Sequence, residues 1–162
     1  MSDIENPNFL SQFGYKISIK RIPNIEYFCQ SVTLPGISLN YAVQPTPFTQ
    51  IPLATGVEYR PFSFVFKVDE NLVNWRAINS WMLDSGNSKD LNNYKTLKDS
   101  FFGLTSDISV SILKSSMIKN KTIVFKDAFP VDLGDVTLTS IGSDINYIES
   151  TISFQYTNYE IV

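Results

Sequence analysis

"VEYRPFSFVFKVDENLVNWRAINSWMLDSG", residues Val57 to Gly86, changes its apolar rhythm halfway along. Phe62, Phe64, Phe66 and Val68 recur at every second position, with Ser63 and Lys67 between them, so an extended chain places all four on one face of a sheet. Pro61, which lacks a ladder donor, fits the first residue of a strand or an edge. Past Asp69 the spacing lengthens to that of a helix. Leu72, Trp75, Ile78 and Met82 fall along one stripe with Trp81 at its edge, Asp69 can cap the start and Gly86 follows the end. The spacing predicts a helix over about 70–84, with Leu72, Trp75, Ile78 and Met82 as its core face.

Strands surround this unit. In "FGYKISIKRI", Tyr15, Ile17 and Ile19 alternate with Lys16, Ser18 and Lys20, and "EYFCQSVT" is rich in aromatic and β-branched residues. "LPGI" then turns the chain, because Pro35 fixes φ and Gly36 permits φ > 0. Downstream, "DISVSILK" and "KTIVFKDAF" read as strands joined through the polar "SSMIKNK". "FPVDLGDVTLTSI" reads as a Pro/Gly turn with a short strand near Val136 to Ile141. In the closing "INYIESTISFQYTNYEIV", read as one long strand, Ile148, Ile152, Phe154 and Tyr156 share a parity while Glu149, Thr151, Ser153 and Gln155 occupy the other. The expected fold is a single domain over residues 1–162, mainly β and antiparallel, with one flanking helix. Residues 87–106 read as a loop, long enough to suggest a role in contacts.

Composition narrows the function. The chain has 162 residues, 14% of them aromatic, which is ample for one core. Net charge is −3 and the Lys and Arg residues form no block, arguing against a nucleic-acid-binding face. After Lys126 every charge is acidic: Asp127, Asp132, Asp135, Asp144, Glu149 and Glu160. No apolar run approaches the roughly 20 residues of a membrane helix, and the N-terminus lacks the basic start and apolar core of a signal peptide, so a soluble, non-exported chain without membrane insertion is expected.

Chemistry is scarce. Without histidine, and with Cys29 as the single cysteine, the chain has no Ser-His-Asp or Cys-His site, no disulfide and none of the usual zinc sets. Neither GxxxxGK[ST] nor GxGxxG occurs, so no nucleotide signature is present. The pairs Asp132/Asp135 and Asp69/Glu70 are neighbours in sequence only, and Asp132, Asp135 and Asp144 match no EF-hand spacing. Asn120-Lys121-Thr122 is a glycosylation sequon without a secretory signal. Trp75 and Trp81 could stack a ligand, but helical periodicity already explains them as core, and Cys29 reads as a small buried hydrophobe. No enzyme activity and no cofactor or metal is expected.

The segment from Asn40 to Val57, "NYAVQPTPFTQIPLATGV", resists so plain an account. It contains three prolines and no charge, and left in solvent it exposes Tyr41, Val43, Phe48, Ile51 and Leu53. Such a patch calls for a partner, or for a long hairpin folded back on its own domain.

The order of these features resembles the tail tube proteins of contractile-tailed bacteriophages. The carriers are "LPG" after a strand, the aromatic strand running through an acidic pair into a Trp-containing helix, and "FP-x-x-L" before the final strands, spread from Phe13 to the C-terminus. The resemblance implies a β-sandwich or small barrel with a long hairpin arm, related in fold to type VI secretion tube proteins. It implies hexameric rings joined into an inner β-barrel and stacked into a hollow tube, with tail sheath and baseplate or neck proteins as partners. The particle would be a virion tail assembled in the bacterial host cytoplasm. The arm at about 40–57 would make inter-ring contacts through Tyr41, Val43, Phe48, Ile51 and Leu53, and the loop at 87–106 further contacts. Glu149, Thr151, Ser153 and Gln155 would face a lumen through which DNA passes without tight binding, since acidic and hydroxyl groups offer phosphates no cations. A tube initiator, completion or terminator paralogue, the tube of a contractile injection system, and a carbohydrate-binding β-sandwich remain alternatives.

Overall fold

The computed structural model describes residues 14–22, 25–86, 103–139 and 146–162. Its elements in chain order are β1 (Tyr15–Ile19), the single turn α1 (Ile25–Phe28), β2 (Cys29–Thr33), β3 (Ile37–Pro45), β4 (Gln50–Tyr59), β5 (Phe62–Lys67), α2 (Val73–Gly86), β6 (Ser106–Leu113), β7 (Lys119–Leu133), β8 (Glu149–Gln155) and β9 (Asn158–Ile161). All strand pairings are antiparallel. The order β1-β6-β7-β8-β5-β2 runs through both layers, β9 adds to β7, and β3 and β4 form a separate ribbon.

β7 belongs to two sheets. Its first half pairs with β6 and β9, through Val110↔Ile123 and Phe125↔Tyr159, and its second half pairs with β8, through Phe129↔Gln155. The changeover falls at Asp127, whose φ of 52° lies in the left-handed region, so the strand kinks and passes from one layer to the other. The result is an antiparallel sandwich with no closed barrel within the chain.

Alternation supplies the core. Ile17, Ile19, Ile108, Val110, Ile123 and Phe125 from one sheet meet Phe62, Phe64, Phe66, Ile152 and Phe154 from the other, all buried. Phe62 stacks on Phe125 with centroids 4.5 Å apart, and Phe64 on Phe154 at 5.8 Å, offset arrangements that aromatic rings favour. Trp81 of α2 enters the same cluster 5.8 Å from Phe154, donates its indole N–H to the Leu104 carbonyl at 2.9 Å, and carries the Arg21 guanidinium 5.0 Å above its ring.

Several expectations need correction. The helix starts at Val73, after a turn in which Leu72 takes φ 56°, and Leu72 is 45% exposed instead of lying on the core face. Asn74 organises the start: its Oδ1 accepts from the backbone N–H groups of Asp69 and Trp75, and its Nδ2 donates to the Lys67 carbonyl. The buried face centres on Asn74, Ile78 and Trp81, while Trp75 and Met82 flank it and pack partly buried against the core. The strand expected from Glu26 starts at Cys29, after a helical turn. β7 continues through Pro130 to Leu133, where a turn was expected, and residues 136–139 form no strand. The long terminal strand is two: the chain leaves β8 at Tyr156 and returns as β9 on the other sheet. Of the loop at 87–106, residues 87–102 lie outside the described residues, and Ser106 begins β6.

Candidate assembly surfaces

The ribbon β3–β4 projects from the domain as an arm, and most of it is exposed. Its register runs from Ile37↔Tyr59 to Pro45↔Gln50, with Thr55 left unpaired between Asn40↔Gly56 and Tyr41↔Ala54. Thr46 closes the tip, its Oγ1 accepting from the Thr49 N–H, and Phe48 stands there 98% exposed. Tyr41, Val43, Ile51 and Leu53 are exposed too, so the five arm residues are not folded back onto the domain.

They do not share a face. Residues directly opposite one another across a ladder lie on the same side. Ile37, Leu39, Tyr41, Val43 and Pro45 with Tyr59, Val57, Ala54 and Pro52 form one side, apolar until Gln50 opposite Pro45 next to the tip. The other side is polar near the base, where Ser38 faces Glu58 and Asn40 faces Gly56, and turns apolar toward the tip, where Ala42 faces Leu53 and Gln44 faces Ile51.

The second surface is the outer face of the sheet formed by β2, β5, β8 and the second half of β7. Ile152, Phe154 and Tyr156 point to the core, joined by Ser150, whose hydroxyl donates to the Gly134 carbonyl at 2.9 Å. Glu149, Thr151, Ser153 and Gln155 take the outward parity, exposed or half-exposed. Register extends this face across the strands: Thr33, Ser63, Ser153 and Asp132 form one rung, Ser31, Val65 and Thr151 the next, and Lys67 stands opposite Glu149. The hydroxyls of β2 and β5 were not singled out from the sequence, although the alternation of Ser63, Val65 and Lys67 already carried the signal.

Among the described residues the same sheet is open at both sides. β2 is its last strand, and from Phe129 to Leu133 β7 pairs only with β8. Phe129 and Val131 are exposed along this edge, and Pro130 sits where a missing donor is tolerated.

Among the described residues no three His, Cys, Asp or Glu side chains gather as a metal site, and no helix is long and apolar enough to cross a membrane. The strongest electrostatic perturbations come from burial: it pushes the Cys29 thiol up to about 11 and the Tyr156 phenol up to about 12, the latter helped by Tyr159 and Tyr59. Protonated, inert groups result. Trp75 and Trp81, partly buried and buried, offer no exposed stacking platform.

Solved structures of contractile particles share this fold. A chain in the tube-terminating cap of the anti-feeding prophage has the same fold with a TM-score of 0.69 over 99% of this chain and 95% of that one, at 12% identity. A chain in the sheath-tube complex of the PVC extracellular contractile injection system gives 0.65 over 96% and 93%, at 14% identity, and one in the anti-feeding prophage baseplate gives 0.65 over 98% and 97%, at 12%. No curated protein matches. The family model described as phage tail tube protein matches residues 5–162, and the chain belongs to that family.

Proposed function

We propose that this protein is a structural subunit of a virion tail tube, assembling into hexameric rings that stack into a hollow conduit for DNA inside a contractile sheath. The observation that carries the reading is the sheet with two open sides and a hydroxyl-rich outer face. If β2 of one subunit pairs with the Phe129–Leu133 edge of the next, the contact is head-to-tail, repeats around a ring, and closes the sheets into a barrel without free edges. In that barrel the core face of each sheet stays inside its own subunit. Glu149, Thr151, Ser153 and Gln155 then line the lumen, where hydroxyls predominate and the one cation on the face, Lys67, stands opposite the Glu149 carboxylate, leaving DNA little cationic foothold. The arm supplies contacts between rings.

Negative-stain electron microscopy of the purified protein at high concentration tests this. Rings or hollow filaments with sixfold views are expected. A monodisperse monomer at every concentration argues for a tube-end component that needs a partner to start assembly.

A further inference from the structure

A groove of about 790 Å³ lies beneath the start of α2. Its walls are apolar, built from Val68, Leu72, Val136, Leu138, Tyr147 and Ile148, with Lys67, Asp69 and Glu70 also lining it. Leu72, Leu138 and Tyr147 are well exposed, a costly arrangement for a subunit that stays alone.

Its position relative to the arm is informative. Phe28 leads into β2, Val68 follows β5, Ile148 leads into β8, and Val136 follows β7, so the groove gathers at one end of the four-stranded sheet. The arm leaves from the other end, after Thr33 of β2 and before Phe62 of β5. One sheet thus carries an uncovered apolar projection at its head and an uncovered apolar recess at its foot.

We propose that the groove is the receptor for the arm of a second copy of this chain stacked along the strand direction. This rests on the tube reading and adds where the arm docks. The two faces of the arm select a recess over a flat surface: toward the tip each side carries apolar side chains, Val43 and Pro52 on one and Ala42, Leu53 and Ile51 on the other, so covering one leaves the other wet, whereas a groove has two walls. Nine residues of β3 at about 3.3 Å each give an arm of roughly 30 Å, long enough to reach past its own subunit. The run from Asn40 to Val57 carries no charge of its own to desolvate on entering the groove. Head and foot are different surfaces, so the contact is heterologous and repeats without limit along the axis.

Photocrosslinking decides the matter. Phe48 is replaced by p-benzoylphenylalanine, a change at a fully solvated side chain, and equal amounts of ¹⁴N- and ¹⁵N-labelled protein are assembled, irradiated and digested. Mixed-isotope crosslinks to residues 68–72, 136–138 or 146–148 are expected. Filaments whose crosslinks fall elsewhere overturn the groove and leave the tube reading intact; protein that neither polymerises nor crosslinks overturns both. As a companion, Leu138→Glu is expected to shift the sedimenting material to free subunits with an unchanged melting temperature. Normal filaments from that variant overturn the proposal.

Discussion

The Tyr156 hydroxyl donates to the Arg60 carbonyl at 2.9 Å, joining the end of β8 to the residue where the arm returns to the domain. The two are 96 positions apart, and the bond anchors the arm's base to the strand proposed to line the lumen. Tyr59 and Tyr159 pack against the same ring at 5.8 and 6.2 Å. Tyr156→Phe keeps the packing and leaves the carbonyl without this donor, so a loss of about 1 kcal/mol is expected in urea melts.

The same phenol gives a pH signature. Its folded value of about 12 lies above the ordinary 10, so the unfolded chain releases the proton first. Stability from this group is complete below pH 10 and declines as pH rises toward 12. Cys29, raised from 9 to about 11, acts in the same direction from pH 9. Thermal melts should fall steadily above pH 9, and Tyr156→Phe with Cys29→Ser should flatten the slope. An unchanged slope in the double variant would assign it to other groups.

Phe48→Asp and Ile51→Asp place a charge on an exposed arm, so the isolated subunit should keep its stability to within about 0.5 kcal/mol. In an assembled particle the charge is buried unpaired, and filaments should disappear from sedimentation and micrographs. Normal assembly would remove the arm from the stacking contact.

Thr151→Lys tests the lumen. The side chain points away from the core and is exposed, so folding and ring formation should persist. A ring of ammonium groups on the conduit wall should retain double-stranded DNA at low salt and release it as salt rises. Filaments indifferent to DNA would place Thr151 elsewhere.

Gly134→Ala probes the end of β7. A Cβ there would meet the Thr151 backbone N at 3.0 Å and O at 3.1 Å, where Gly134 N–H donates to the Thr151 carbonyl at 2.7 Å. Because backbone has to move, a cost of about 1–3 kcal/mol is expected, with a lower denaturation midpoint.

Period two made the interior legible: Phe62, Phe64, Phe66, Ile108, Val110, Ile152 and Phe154 are core in the structure, as their alternation requires. The arm was legible because eighteen uncharged residues with three prolines suit no ordinary connection. Leu72 misled because it precedes the helix, in a turn with φ 56°, where helical spacing does not apply; the start is set by Asn74 bonding back to Lys67 and Asp69. Helical periodicity read Trp81 as core and it is buried, but its partners Arg21, Leu104 and Phe154 are distant in sequence and were not legible. The division of β7 between two sheets, and the break between β8 and β9, come from tertiary pairing, which local periodicity does not encode.

β7 also has a mechanical meaning. In the proposed tube, a sheath that shortens around it would load the subunit's outer layer first, and that load would have to arrive at the inner one. In a sandwich joined only by side chains that load would shear the oily interface between Phe62 and Phe125. Here an unbroken peptide chain crosses from layer to layer at Asp127, so tension travels along covalent bonds. In that setting the kink would work as a tie-rod, with the aromatic interior left to resist compression.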